Sequence, residues 1–287
     1  MKGISGSRGS RAGLRGLISR TARPEVGEAS RPPMAIPPGL EWFWEKYDGA
    51  TEQIVSFCEA CGLSLGGLDI ADVGCGEGSM ALGLCHRVQP RRVIGFDTVV
   101  TNVGELLDRS TAIGVADALP AALEFRQSAP TTTPAATAEF DFVYSWSAFE
   151  HVADPIAVLE EIRRILRPTG HFFMQLWPFY LSAKGSHLWQ WFDEDFHHLL
   201  ANDRDVVAQV AASDQQPREW ADYMSGEFER LNRITVAELQ RAVLLAGFDV
   251  IRLELLSSPT MLPRTLARYS WTDLGISGVK LLAKAHR

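Results

Sequence analysis

The sequence predicts an α/β fold: a doubly wound, mostly parallel sheet with an antiparallel C-terminal edge and a helical insert after the fifth strand. Three observations carry this. Short apolar runs alternate with amphipathic stretches between about residues 68 and 177, the order that gives a parallel sheet covered on both faces. The first run ends in a turn with glycines at 74, 76 and 78. The alternation lapses over 179–231 and resumes at Thr235.

Residues 1–38 hold Lys2 and six arginines against Glu25 and Glu28, with no aromatic side chain. Such a segment cannot bury enough apolar surface to order itself, so it is predicted to be a disordered basic arm. Its composition also resembles an organelle transit peptide; the favoured reading is an unstructured tail, with Met34 as a candidate start. The arm carries +5 of a chain whose formal net charge is −7, leaving −12 for residues 39–287. A phosphate-rich nucleic acid is therefore not the expected acceptor.

Residues 39–63 read as helical, with Ile54, Cys58 and Cys61 on one buried face and Trp42, Phe43, Trp44 and Tyr47 crowding its start. Leu68 to Val73 is the first strand, and Ser79 to Val88 the helix after its turn. Arg92 to Asp97 is the second strand, with a helix near 101–116 behind it. Leu123 to Gln127 and Phe140 to Trp146 are the third and fourth. Asp154 caps the next helix, Pro155 fits its first turn, and Val158, Leu159, Ile162, Ile165 and Leu166 mark its buried side. Pro168-Thr169-Gly170 is expected to end that helix before a fifth strand, His171 to Trp177. Thr235 and Glu238 form a capping box for a helix closing at Gly247. Two final strands, near 248–256 and 274–285, can pair as the sheet edge.

At 287 residues the chain fits one α/β core with insertions. No apolar run reaches the roughly 18–20 residues that span a bilayer, so a soluble, cytoplasmic protein is expected. Cys58 and Cys61 form a C-x-x-C pair inside the predicted helix, Cys75 lies in the glycine turn and Cys85 in the helix after it. All four are read as small buried thiols of a reducing compartment, not as metal or disulfide sites.

In doubly wound sheets ligands gather at the carboxyl ends of the strands, near the point where strand order reverses. That places the site at Gly74 to Gly78, Asp97, Ser128 and Ser145 to His151. A glycine turn followed by an acid at the end of the next strand suits any adenosine ligand. Here the spacing is G-x-G-x-G with Ser79 next, which misses the dinucleotide fingerprint. Asp72 and Glu77 flank the turn and would repel a diphosphate, whereas the ammonium and sulfonium of S-adenosyl-L-methionine would be attracted.

The motifs Asp72-Val73-Gly74-Cys75-Gly76-Glu77-Gly78, Gly95-Phe96-Asp97, Phe140 to Ser145, Phe149-Glu150-His151-Val152 and Leu166 to His171 resemble, in order and spacing, those of class I S-adenosylmethionine-dependent methyltransferases. The resemblance spans about 65–178, and it implies a Rossmann-like sheet with S-adenosyl-L-methionine as cofactor. It implies that the backbone of Gly74, Cys75, Gly76 and Gly78 lies against the methionine and ribose parts. Asp97 would bind the ribose diol, and the Ser145 region would line the methyl-transfer site. Family members often hold adenine with an acid after the third strand; Gln127-Ser128-Ala129-Pro130 stands there instead, so Ser128 or a backbone amide takes that place. Residues 39–287 are then the methyltransferase domain, and 179–231 a lid or substrate insert.

Methyl transfer from a sulfonium needs alignment and exclusion of water more than covalent help. A base helps when the acceptor is a hydroxyl. His151, after the fourth strand, is the first candidate, although a Glu-His pair there can simply anchor a helix start. His187, His197 and His198 lie in the insert, which resembles one in bacterial methyltransferases acting on sugars or secondary metabolites. Either it covers the acceptor, with His187 as a second catalytic candidate, or Trp189, Phe192 and Phe196 are the core of a small helical insert. No metal is assigned, but Glu150, His151 and His187 are a conceivable ligand set, because some hydroxyl-methylating relatives use Glu and His. The sequence thus points to methylation of a small molecule, at the oxygen of a sugar, phenol or other metabolite hydroxyl. Nitrogen or carbon methylation and a cofactor-binding inactive partner subunit are the alternatives.

Overall fold

A computed structural model describes residues 36–257 and 259–286. The predicted basic arm lies, but for its last three residues, outside them. The chain begins with α1 (Glu41–Trp44), which runs through one π-helical turn, Glu45–Ala50, into α2 (Thr51–Glu59). There follow β1 (Asp69–Val73), α3 (Ser79–Val88), β2 (Arg92–Asp97), α4 (Val103–Ala112), β3 (Leu123–Gln127) and β4 (Phe140–Trp146). Next come α5 (Pro155–Ile165), β5 (Leu166–Leu176), and the insert helices α6 (His197–Leu200), α7 (Asp203–Ala212) and α8 (Arg218–Arg230). The chain closes with α9 (Val236–Leu245), β6 (Phe248–Ser257), α10 (Trp271–Gly275) and β7 (Ile276–Ala285).

The strands form one sheet in the order β3-β2-β1-β4-β5-β7-β6. β1 to β5 are parallel, and β7 runs antiparallel to both β5 and β6. The order reverses between β1 and β4, so the turns after these two strands meet at the carboxyl edge. One apolar layer joins Val158, Leu159, Ile162 and Ile165 of α5 to Leu239 and Val243 of α9 beneath the sheet. The opposite layer gathers Ile54 and Cys58 of α2, Leu82 and Leu84 of α3 and Leu106 of α4. At the amino edge Asp69 accepts from Arg91 at 2.7 Å and Arg167 at 2.8 Å. The Arg91 hydrogen bond, with Arg167 behind it, holds the Asp69 carboxyl below its usual pKa.

The expected 39–63 helix is shorter and less regular. It ends in a Schellman motif: Gly62, at φ 75°, donates to the Glu59 carbonyl at 2.8 Å, and Leu63 to that of Cys58 at 3.1 Å. Cys61 falls in the closing turn and is exposed, so it does not continue the face of Ile54 and Cys58; the other three thiols are buried. The helix expected near 101–116 runs over Val103–Ala112, with Asn102 as its cap, accepting from the Glu105 N–H. The largest difference lies after α5. Leu166 is already extended, with φ −72° and ψ 138°, so Pro168-Thr169-Gly170 does not terminate the helix but sits within β5. A proline bars its predecessor from helical geometry, and the break spreads back one residue further, to Leu166. Phe140 pairs with Leu166 but Phe142 with His171, leaving the Pro-Thr-Gly segment as a bulge. The capping box is present: Thr235 accepts from the Glu238 N–H at 3.2 Å, and Glu238 from the Thr235 N–H at 2.9 Å.

The insert has its own apolar cluster, built from Leu188, Trp191, Phe196, Leu199, Val206 and Phe228. Phe196 and Phe192 serve that core as expected, but Trp189 does not: it is 38% exposed and leans on Trp177, 5.6 Å between ring centres.

Candidate functional site

The glycine turn takes its shape from three left-handed residues. Gly74, Gly76 and Gly78 have φ of 82°, 52° and 83°, where a side chain is strained. They differ in what surrounds them. A Cβ on Gly74 would lie 2.6 Å from that of Ala148, and one on Gly78 would lie 2.5 Å from the Phe125 ring. A Cβ on Gly76 would meet nothing within 4 Å. The turn is therefore packed at both ends and open at its middle, the form of a cradle for a ligand.

Asp97 closes one side. Its Oδ2 accepts the Gly76 N–H at 2.8 Å and its Oδ1 the Val99 N–H at 3.0 Å, so β2 and the turn are tied through one carboxylate. Ser128 stands next to it, donating its backbone N–H to the Asp97 carbonyl at 2.8 Å, while Gln127 donates Nε2 to the Thr98 carbonyl at 3.0 Å. Cys75 is buried, with Sγ 3.6 Å from Thr101 Oγ1; burial raises its thiol pKa, so it acts as a small packing group.

The two acids flanking the turn have different fates. Glu77 is ion-paired with Arg109, which removes the repulsion assigned to it from sequence. Asp72 is 2% exposed and accepts from the Tyr144 hydroxyl at 2.8 Å. Burial drives its pKa up to about 7 against that hydrogen bond, with Asp97 adding to the rise and Lys46 opposing it. A raised carboxyl pKa means that the native state holds the proton more tightly. Asp72 therefore favours folding at acid pH, and that contribution is lost as pH rises from the ordinary carboxylate range through about 7. Asp72→Asn is expected to match the wild type in stability near pH 3 and to exceed it by on the order of 1–3 kcal/mol at pH 8. Denaturant melts at both pH values would check this; equal differences at the two would refute it.

Across the turn lies Lys46, presented by the π-helical segment. Its ammonium sits 4.7 Å from the Trp42 ring centre and 5.9 Å from that of Trp146. Burial lowers its pKa, although Glu150, Glu77 and Asp72 pull the other way. A cation is thus already accommodated against these rings and acids.

The β4 turn supplies the other half. Ser145 is 1% exposed and its Oγ has no hydrogen-bond partner. Phe149–His151 form a short 3₁₀ turn clamped by Asn232: its N–H donates to the Glu150 carbonyl at 2.9 Å, and its Nδ2 to Phe149 and Val152 at 2.6 and 2.7 Å. Glu150 is 4% exposed, and burial lifts its pKa to about 7. His151 Nδ1 lies 3.1 Å from Glu227 of α8. Burial opposes charging of this ring, but Glu227 and Glu150 outweigh it and raise its pKa. His187 stands edge-on to His151, 5.2 Å between centres; burial and then His151 push its pKa down to about 3.

The structure thus brings Asp72, the turn glycines, Cys75 and Asp97 together, with Ser145, His151 and His187 on the adjoining loop and insert. Two insert histidines lie elsewhere. His198 makes a 2.6 Å contact with the Tyr180 carbonyl, and His197 stacks on Phe192 at 3.8 Å. Sequence reasoning missed Lys46, Tyr144, Glu227 and Asn232. Nothing local marks them, because each works through a partner distant in sequence.

Comparison with known proteins bears on the fold that carries this site. The profile of the "Methyltransferase domain" family matches residues 71–174. The chain is 29% identical over 128 residues to a ubiquinone biosynthesis O-methyltransferase of Cereibacter sphaeroides, covering 44% of this chain and 49% of that protein. It is 35% identical over 104 residues to an uncharacterized 37.1 kDa transposon protein of Streptomyces fradiae, covering 36% and 28% of the two. The chain therefore spans at most about half the length of these relatives. Among solved structures, an S-adenosylmethionine-dependent methyltransferase from Mesorhizobium loti superposes with TM-score 0.50 at 20% identity, over 83% of this chain and 99% of that one. A geranyl diphosphate C-methyltransferase from Streptomyces coelicolor, solved with Mg2+, geranyl diphosphate and S-adenosyl-L-homocysteine, gives 0.51 at 14% identity over 81% and 78%. These likenesses establish the fold. Among the described residues, no helix is long and apolar enough to cross a membrane.

Proposed function

We propose that this chain, whose residues 71–174 belong to the class I S-adenosylmethionine-dependent methyltransferases, transfers the methyl group of S-adenosyl-L-methionine to the hydroxyl oxygen of a small molecule. The observation that carries this reading is the contact of Gly74 with Ala148, where an added Cβ would lie 2.6 Å from its neighbour. It presses the cradle of β1 against the loop that carries Glu150 and His151, so donor and acceptor sides are adjacent at the reversal of strand order.

The cradle suits the cofactor: an open Gly76, a rim carboxylate at Asp97 for a diol, and a buried carboxylate at Asp72 for a positive charge. Bound S-adenosyl-L-methionine supplies an activated methyl on a sulfonium. Asp97 keeps lone pairs available while holding the Gly76 and Val99 N–H groups, since each carboxylate oxygen accepts more than one bond. Ser128 borders the adenine end and Ser145 the reacting end. We assign the acceptor hydroxyl to His151 and His187, with Trp177 and Trp189 as walls that exclude water. Similarity to ubiquinone biosynthesis O-methyltransferases supports oxygen as the methylated atom.

A labelled-methyl assay against phenols, sugars, amines and lipids tests the reading. Label on a hydroxyl oxygen supports it. Label only on nitrogen or carbon would remove the oxygen assignment, and cofactor binding without transfer to any acceptor would favour a non-catalytic subunit.

A further inference from the structure

The acceptor side holds more lone pairs than the protein satisfies. Both carboxylate oxygens of Glu150 and Nε2 of His187 are shut off from solvent without a hydrogen-bond partner. An unpaired buried polar group is costly, and more so when charged, so three together call for a ligand. One water has two hydrogens and would leave an acceptor unmet. A metal ion serves all of them.

We propose that Glu150, His151 and His187 form a divalent metal site of the zinc class, which holds the acceptor oxygen beside the methyl donor. It rests on the methyltransferase reading above and gives the two histidines their role. One ligand atom from each of the three residues lies within 4.8 Å of the others. Zinc bonds of about 2.0–2.2 Å place tetrahedral ligands roughly 3.4 Å apart, so from a separation of up to 4.8 Å the site needs to tighten by at most about 1.4 Å. Two imidazoles and one carboxylate make the donor set of catalytic zinc, which leaves one position open for water or substrate. The outer contacts match as well. The Pro178 carbonyl hydrogen-bonds the His187 ring, and Glu227 stands 3.1 Å from His151 Nδ1. Carbonyls and carboxylates in these places orient metal-bound histidines. Asn232 fixes the backbone of the ligand turn, and the His151 side chain, 30% exposed, leaves an approach from solvent.

An acceptor hydroxyl bound at the open position gives up its proton to solvent more readily, because the cation stabilises the alkoxide. The oxygen lone pair then forms the new bond to the methyl carbon. The carbon–sulfur bond breaks with its electron pair returning to sulfur, which leaves the neutral thioether S-adenosyl-L-homocysteine.

The test uses the full chain, stripped with a chelator and titrated with Co2+, whose visible spectrum reports its ligands, and then with Zn2+ as competitor. One Co2+ per chain, displaced by Zn2+, is expected. Its affinity should fall at least about 100-fold in His187→Ala and Glu150→Gln, and about 10- to 100-fold in Glu227→Gln. Binding of S-adenosyl-L-homocysteine by each protein runs in parallel: retained binding shows a folded cofactor site. Absence of saturable Co2+ binding by the wild type, or equal binding by His187→Ala and Glu150→Gln, overturns the metal site. Failure of the wild type to bind S-adenosyl-L-homocysteine overturns instead the reading on which it rests.

Discussion

Asp97→Ala is expected to weaken S-adenosyl-L-methionine binding about 100-fold with little change in the fold. The carboxylate stands at the carboxyl end of β2 and already ties Gly76 and Val99 to itself, at 2.8 and 3.0 Å. Both N–H groups are solvent-accessible, so water replaces the lost acceptor at small cost. The ribose diol, which the proposed site places on Asp97, has no such substitute. Hydrogen bonds to a charged group contribute about 1.5–3 kcal/mol each, and losing about 3 kcal/mol corresponds to roughly two decades in Kd. Asp97→Asn, which still accepts one bond, should fall between. Calorimetric titration with the cofactor decides the matter: an affinity within threefold of wild type for Asp97→Ala would remove this residue from the ribose site.

Gly83→Ala should produce a large loss of stability, on the order of 3 kcal/mol, because its surroundings are backbone. A Cβ there would stand 2.0 Å from the Tyr47 carbonyl oxygen, far inside van der Waals contact, and no rotamer relieves it. The helix pair must separate, and with it go the Arg87 contacts to Asp48 and Glu52. Overpacking of this kind costs about 1–3 kcal/mol or more, and a shift of Tm downward by roughly 6–12 °C is expected at 2–4 °C per kcal/mol. Gly104→Ala is the control, since its nearest neighbour would be 3.4 Å away. If the two variants melt together, Gly83 is not the point of closest approach.

The strands were legible because burial on both faces leaves unmistakable apolar runs: β2, β3 and β4 begin and end at the residues expected. The boundary after α5 was not, since Pro168 acts on residues before it and the bulge depends on pairing with Phe140. At the site, Gly74, Gly78 and Asp97 could be read from spacing, because a turn between strand and helix is a local object. Glu77 misled: its charge is cancelled by Arg109, 32 positions away. His198, which the sequence assigned no role, is drawn into the insert core by its contact with Tyr180; in sequence such a histidine looks the same as one facing a ligand. The π-helical turn leaves no pattern at all, as its register is set by docking against α3.

That turn spends one residue more than an α-helix would over the same path. In an α-helix each residue advances the direction of its side chain by about 100°, so the extra one acts as a phase shift between the two parts of the helix. Ile54 and Cys58 keep their bearing toward the sheet, while Lys46 and Trp42 are turned toward Trp146 and the cradle. Removing a single residue from 45–50 would restore the regular winding and swing the aromatic end away, uncoupling the wall of the site from the anchor that holds it. The length of this segment, more than its composition, is therefore what ties the front of the chain to the chemistry.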